Sequence, residues 1–462
     1  MSMPAYDAII IGAGQAGTPL AGRLSGAGMT VALIERSRVG GTCVNTGCTP
    51  TKTLVASAKA AQMARRAADY GVVIEGGIGI DMRKVKARAD AVAGASREGL
   101  TAWIGAMDHC TLYRGHARFL DSRSVQVGDD VLTADRIFIN VGGRAAIPAM
   151  PGIDEVPYLT NSGMMDIDAV PEHLLIIGGS YVGLEFAQAY RRFGARVTVF
   201  ESGLRLLRRE DEDISRAIAE ILSSEGIDIV LGAAHLSVGK GATGDGAVVV
   251  SHDGLDGLRT VSGSHLLLAT GRRANTDDLD AGKAGIALDA HGSIIVDDAL
   301  STNVDGIWAL GDCNGRGAFT HTAYNDFEIV AANLLDGEAR RVTDRITVYA
   351  LYTDPPLGRV GLSQAEAERS GRRILVSKRP MTRVSRAIEK GETQGFMKIV
   401  ADADSGEILG AALLGTGCDE AVHSLIDVMY ARRPYDLVRR GVHIHPTVSE
   451  LLPTMMGDFH PA

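Results

Sequence analysis

One internal repeat constrains this chain more than any other feature. Residues 7–17 read DAIIIGAGQAG and residues 173–183 read HLLIIGGSYVG. Each is an apolar strand that runs into a glycine-rich turn and then a helix. The separation is constant: Gly12 to Gly178, Gly17 to Gly183 and Glu35 to Glu201 are each 166 positions apart. Two strand–turn–helix–strand–acid units in register are far more specific than one glycine match.

The spacing has a physical reading. The first glycine (Gly12, Gly178) allows a tight turn, and the second lets backbone approach a pyrophosphate. The third (Gly17, Gly183) lets helix and strand pack closely, with the helix N-terminus facing the anion. Glu35 and Glu201, at the ends of VALIE and VTVFE, suit a ribose hydroxyl. In the second unit Ser180 stands where the first has Gly14. Apolar strands that end at IFINVGGR (137–144, with Gly142) and LLLATGRR (266–273, with Gly271) read as closures of the two nucleotide domains. GIWALGDC (306–313) places Asp312 at a strand end, suited to a chain of sugar-like hydroxyls.

At 462 residues the chain suggests about three domains. A hydrophobic fraction of 45% excludes disorder as the main state. The net charge of −9 lacks a nucleic-acid binder's basic footprint. No apolar run reaches membrane-span length, and the start lacks the build of a secretory signal, so a cytoplasmic location is expected. The fold expected is α/β: two tandem Rossmann-like nucleotide-binding domains (1–150 and 151–275), a central segment (276–345) completing the first, and a C-terminal α+β domain (346–462). The stretch 231–265 reads as glycine- and serine-rich hairpin connections. DEAVHSLIDVMYARR reads as one helix.

Five cysteines are too few and too scattered for a secreted disulfide framework. Cys43 and Cys48 lie close together in GGTCVNTGCTPTK (40–52). In a regular helix five residues rise roughly 7.5 Å, whereas disulfide Cα atoms lie within about 6.8 Å. A bridge therefore needs a distorted or just-starting helix, and Gly40, Gly41, Gly47 and Pro50 supply the irregularity. A thiolate at a helix N-terminus has a lowered pKa. The pattern points to redox chemistry rather than metal binding, because the spacing lacks the second pair of a zinc site. Cys110, Cys313 and Cys418 read as inert packing residues.

In order, GAGQAG, GGTCVNTGC, GGSYVGLE with ATGRR, and ALGDC followed by HPTVSE resemble the class I flavoprotein disulfide reductases. That family includes dihydrolipoamide dehydrogenase, glutathione reductase and mercuric reductase, and the resemblance covers essentially the whole chain. It implies FAD on the first repeat, with Thr42, Lys52, Ala117 and Ala323 added to the flavin-binding set. It implies a nicotinamide nucleotide on the second and a homodimer through the C-terminal segment. It implies that Cys48 lies against the flavin, that Cys43 exchanges with substrate, and that Lys52 and Glu185 form an ion pair near the flavin. Tyr181 resembles the residue covering the nicotinamide pocket, and His321 and Tyr324 are expected near the flavin ring. His445 and Glu450 match an acid/base pair that relatives supply from the partner subunit; His443 has no assigned role.

Glu201 favours NADH, although arginines in RLLRR (205–209) could accommodate NADPH. SELLPTMMGDFHPA lacks the vicinal cysteines of mercuric reductases, so the expected substrate is a small thiol or disulfide, with no bound metal. Alternatives are a reductase of metal or oxidised sulfur, a non-thiol oxidase or transhydrogenase, and a flavoprotein subunit of a larger complex.

Overall fold

Continuous apolar runs become strands buried on both faces, the arrangement parallel sheets require. In the computed structural model, which describes residues 4–241, 247–254 and 257–461, the run Ala8–Ile11 is buried throughout. It lies at the centre of a five-stranded parallel sheet, ordered Ile307–Ala309, Ile137–Ile139, Ala8–Ile11, Val31–Glu35 and Cys110–Arg114. The second run, His173–Ile177, is likewise buried throughout. It lies in a four-stranded parallel sheet between Arg196–Glu201 and His265–Leu268, with Asp228–Leu231 at the edge.

The chain divides into two compact units, each built from three stretches. The first comprises Met1–Thr53, Arg83–Ile147 and Gly271–Arg345. It holds the five-stranded sheet, a four-stranded sheet (Ala5–Tyr6, Asp130–Ala134, Ser124–Val127, Ala117–Phe119) and a short ribbon pairing Gly143–Ala145 with Arg272–Ala274. Its core gathers residues from all three stretches, among them Ile10, Phe119, Phe138, Ile294, Leu310 and Val330.

The second unit comprises Leu54–Met82, Pro148–Thr270 and Ile346–Ala462. Beside its parallel sheet it has a three-stranded antiparallel sheet, Ala234–Lys240, Val248–Gly254 and Gly257–Gly263. This is the hairpin region read at 231–265; its residues 242–246 and 255–256 lie outside the described residues. A six-stranded sheet from Val348 onward includes the Phe396–Asp402 and Ile408–Leu414 strands. The single helix read in DEAVHSLIDVMYARR is two helices, Cys418–Ala421 and His423–Tyr430, separated at Val422. Among the described residues no helix is long and apolar enough to cross a membrane.

Buried ion pairs join the stretches of the second unit. The Arg192 guanidinium lies 2.7 Å from both Glu225 and Asp354, with its side chain only 6% exposed. Lys398, buried to a similar degree, lies 2.7 Å from Asp211 and 2.8 Å from Asp213. Burial alone would raise the Asp354 pKa, but Arg192 and Lys59 hold it below the ordinary carboxylate value. A depressed carboxylate stabilises the fold above its unfolded pKa, and that contribution is lost as pH falls through the folded value. Replacing Arg192 by methionine strands two half-buried or buried carboxylates and should cost about 3–5 kcal/mol at neutral pH in urea unfolding. The gap from wild type should narrow as pH falls through and below ~3.9, the unfolded aspartate value. A gap independent of pH would show that Asp354 does not carry the effect.

Candidate functional site

Both glycine-rich turns use the same backbone circuit. At Gly12 (φ +110°) a Cβ would stand 2.2 Å from the Asn140 carbonyl oxygen, and at Gly178 (φ +118°) it would stand 2.3 Å from that of Ala269. No side chain fits either position. The strand-end carboxylates then pin the turns. Glu35 accepts from the Ala13 amide at 3.0 Å and the Ser37 amide at 2.8 Å. Glu201 accepts from Gly179 at 2.9 Å and Gly203 at 2.7 Å. Burial alone would raise the Glu201 pKa, but the two amides and Arg208 hold it below the ordinary value.

The two circuits differ in two places. In the first, the Asn140 side chain accepts from the Gly17 amide at 2.9 Å, and a Cβ at Gly14 would lie 3.0 Å from that amide oxygen. Alanine occupies the equivalent position, 269, in the second, so Ser180 meets no such crowding and is exposed. In the second, the Arg208 guanidinium donates to Glu201 at 2.7 Å, a contact Glu35 does not have.

The cysteine segment lies against the first turn, where the Gly40 amide donates to the Ala13 carbonyl at 2.8 Å. It is two helices, Gly41–Thr46 and Cys48–Arg65, broken at Gly47. A Cβ at Gly47 would lie 2.7 Å from the Thr42 carbonyl oxygen and 3.2 Å from the Cys43 Cα. This close approach folds Cys48 back toward Cys43. Both are free thiols here, and they hydrogen-bond to one another. That hydrogen bond, with burial and the neighbouring charge, pushes the Cys43 pKa well up. Cys48 is exposed, begins an 18-residue helix, and lies 3.3 Å from the Thr320 hydroxyl.

The other residues expected on the flavin side, and Gly271 from the closure of the second repeat, belong to the first unit. Thr42 lies on the short helix that begins at Gly41, and Lys52 lies one turn beyond Cys48. Ala117 opens a strand, and Ala323 is buried on the helix Thr320–Ala331, which also carries His321 and Tyr324. His321 stacks on Phe319 and Tyr324 meets Phe327 edge-on. Gly142 accepts from the Asn275 amide and Gly271 from the Ala146 amide, at 3.0 and 2.9 Å. Asp312 is ion-paired with Arg272 at 3.1 Å.

In the second unit Gly183 is buried on the helix Tyr181–Phe193, which also holds Glu185; that carboxylate accepts from the Tyr352 amide at 3.0 Å. The His445 Nδ1 lies 2.7 Å from the Glu450 carboxylate, and the imidazole is 73% exposed. His443 is exposed. Burial pushes Cys110 up to about 11 and Cys313 up to about 12, and it also raises Cys418, so none is poised as a nucleophile. Among the described residues no cluster of three or more ligating side chains could hold a metal ion.

Sequence reasoning passed over Thr320, Asn140 and Asp326. Thr320 immediately precedes His321, already expected near the flavin ring, so it was one residue away. Asn140 ties Gly17 to the Leu310 carbonyl, and Asp326 accepts from the Gly311 amide at 2.8 Å. Both lie inside stretches already read, Asn140 in IFINVGGR and Asp326 two residues beyond Tyr324, but they are buried polar residues whose partners lie outside those stretches, so the local pattern does not mark them.

Residues 6–326 match the family model described as pyridine nucleotide-disulphide oxidoreductase, and residues 347–456 match its dimerisation domain. The chain is 36% identical to the probable pyridine nucleotide-disulfide oxidoreductase RclA of Escherichia coli, covering 97% of this chain and 98% of that one. It is 30% identical to the dihydrolipoyl dehydrogenase of Chlamydia muridarum, covering 97% and 95% respectively. A solved structure described as the HOCl-induced flavoprotein disulfide reductase RclA from Escherichia coli matches with a TM-score of 0.89 at 34% identity, covering 98% of this chain and 99% of that one.

The Gly47 contact is testable apart from any substrate. Gly47→Ala should force the helix starts apart and slow closure of the 43–48 disulfide on the order of 10- to 100-fold, as expected when reacting atoms are misplaced by about 1 Å. Free-thiol counting during oxidation of the FAD-loaded protein measures it; closure at the wild-type rate would refute the role given to this glycine.

Proposed function

Because the chain belongs to the class I pyridine nucleotide-disulfide oxidoreductases, enzymes that use FAD and NAD(P)H, we propose that it passes electrons from NADH to a small disulfide through Cys48 and Cys43. The observation that carries this reading is the Cys43–Cys48 thiol pair at a broken helix start, tied by backbone to the first nucleotide turn. The side-chain-free cradle at Gly12 and the carboxylate of Glu35 fit the pyrophosphate and ribose of FAD. When bound, FAD relays two electrons between the nicotinamide and the sulfurs.

The rest of the work falls to side chains. Cys43 holds its proton firmly, so the thiolate of the pair is assigned to Cys48, where helix amides and the Thr320 hydroxyl favour a negative sulfur. Cys43 must give up its proton to attack a substrate disulfide. His445 is the base, acting through Nε2 because Glu450 engages Nδ1. Its exposed ring supports the reading that the pair serves the cysteines of a second copy. Attack by Cys43 sulfur forms a mixed disulfide, and the leaving thiolate takes the proton back from His445. The Cys48 thiolate then attacks the Cys43 sulfur, breaking the mixed disulfide and closing the internal one; the second substrate sulfur leaves as a thiolate and takes a proton from solvent. Lys52 and Glu185 are assigned to the flavin edge and Tyr181 to the nicotinamide side. A homodimer and a reducing, cytoplasmic setting complete the reading.

Anaerobic addition of NADH should give the FAD-loaded protein a long-wavelength thiolate–flavin absorbance band. Cys48→Ser should abolish it and Cys43→Ser should keep it; persistence of the band without Cys48 would exclude the assignment. His445→Gln should lower disulfide turnover by about 10²- to 10⁴-fold while NADH still bleaches the flavin at the wild-type rate. An equal loss in both half-reactions would argue against His445 as the base.

Nucleotide choice follows from Glu201. Its carboxylate opposes a 2′-phosphate, while Arg208, bound to it and 58% exposed, offsets part of that charge. We therefore assign NADH as the preferred donor and NADPH as an accepted one. Arg208→Ala should raise KM for NADPH about tenfold, the equivalent of one lost charge-assisted bond, and change KM for NADH much less. Parallel shifts for both donors would show that Arg208 does not read the phosphate.

A further inference from the structure

The charged run RREDED (208–213) reads as a solvated surface, yet Glu210 within it is only 2% exposed. It is held against the second nucleotide turn by its own loop. The Leu207 amide donates to the Gly179 carbonyl at 3.0 Å, and the Glu210 amide donates to the Leu207 carbonyl at 2.8 Å. Leu207 has φ +48°, a conformation a branched side chain seldom adopts, so the loop is forced into this path by its surroundings.

Three groups converge on the buried carboxylate. The Tyr349 hydroxyl donates to Oε1 at 2.5 Å, and the Tyr181 hydroxyl reaches the same oxygen at 3.4 Å. The Arg359 Nε lies 3.3 Å from Oε2, with both side chains almost wholly buried. The two phenol rings meet edge-to-face at 5.5 Å, and their hydroxyls also hydrogen-bond to one another. Burial foremost, then the neighbouring charge, raises both phenol pKa values, so both remain donors.

The two contacts are unequal. Tyr349 makes a short, charge-assisted bond, whereas Tyr181 makes a long one to an oxygen that is already served. Tyr181 is also the first residue of the helix that follows the turn. We propose that Glu210 and Tyr349 form a buried latch for Tyr181, in which Tyr349 is the fixed anchor and Tyr181 the releasable arm that leaves when the nicotinamide end enters. The latch rests on the reading that the second turn binds a nicotinamide nucleotide beside Tyr181. Glu210 and Tyr349 are then positioning residues. They keep the ring in place when the nucleotide is absent, and Tyr181 can depart without leaving Oε1 unsatisfied, because Tyr349 stays; Oε2 has no hydrogen-bond partner among the described residues and faces the Arg359 charge alone.

Opposite effects from two conservative variants follow. Tyr181→Phe removes the arm's bonds to Glu210 and to the Tyr349 hydroxyl and should tighten NAD⁺ binding to the FAD-loaded protein by about twofold to threefold. Tyr349→Phe leaves Tyr181 as the one hydroxyl on Glu210. Its bond shortens, its release strands a buried acceptor, and NAD⁺ binding should weaken about fivefold or more. The double variant should behave like Tyr181→Phe alone. Titration calorimetry with NAD⁺ reads all three, and the melting temperature and flavin content confirm that each variant folds. Shifts of the same sign, or an unchanged affinity in Tyr349→Phe, would overturn the latch while leaving the nucleotide reading intact. Failure of the wild-type protein to bind NAD⁺ would instead overturn that reading.

Discussion

The redox chemistry proposed for this chain depends on one van der Waals restriction: Gly47 can lie against the Thr42 carbonyl only because it has no side chain. On a continuous helix two residues five apart point some 140° away from each other and are separated by roughly 7.5 Å of rise. The break at Gly47 cancels both, restarting the helix so that its first residue turns back on Cys43. The same break leaves Cys48 at a new helix N-terminus, where unpaired amides favour negative charge. One small residue thus sets both the proximity of the sulfurs and the asymmetry between them. The Gly40–Ala13 bond carries that geometry to the first nucleotide turn, so the pair and the cradle cannot drift independently.

The chain builds the same turn twice, and the two copies show which parts of the motif recur. The strand-end carboxylate bridging two amides is kept in full, as is the glycine pressed against a carbonyl. The middle glycine is kept only where a side-chain amide crowds it. Asn140 fills that space in the first copy, and alanine at 269 leaves it open in the second. Divergence is concentrated in what surrounds the conserved circuit: Asn140 and Asp312 in one copy, Arg208 and the Glu210 cluster in the other.

Much of this was legible in the sequence because it is local. A strand, a turn, a helix and an acid at fixed spacing leave a pattern, and so do two cysteines among glycines. What the pattern could not show is how distant stretches assemble. The first unit collects residues 83–147 and 271–345 around its N-terminal stretch, and no periodicity announces that return. The break between Cys418–Ala421 and His423–Tyr430 was missed because an apolar helical pattern continues across it. Thr320, Asp326 and Glu210 were missed because a hydroxyl or a carboxylate looks solvated until packing removes the water. Glu210 is the sharpest case, since five charged neighbours flank it in the run and only tertiary contacts distinguish it.

Burying Glu210 has an energetic cost, and the Arg359 pair does not account for its presence. A buried ion pair is commonly no more stabilising than apolar residues of the same volume, because desolvation consumes the Coulombic gain. Two phenols that a pair of phenylalanines could replace as packing are likewise a poor source of stability alone. Arg192 and Lys398 are different: each joins stretches that are remote in the chain, where a specific pairing selects one assembly over others. Glu210 also reaches across, to Tyr349 and Arg359, but in addition it touches Tyr181 beside the turn. A group that only fixed the packing would gain nothing from the long third contact. With Tyr181 at the helix start and Glu210 bonded strongly to Tyr349 and weakly to Tyr181, this is the arrangement expected of a polar cluster in which one member moves and the rest stay put.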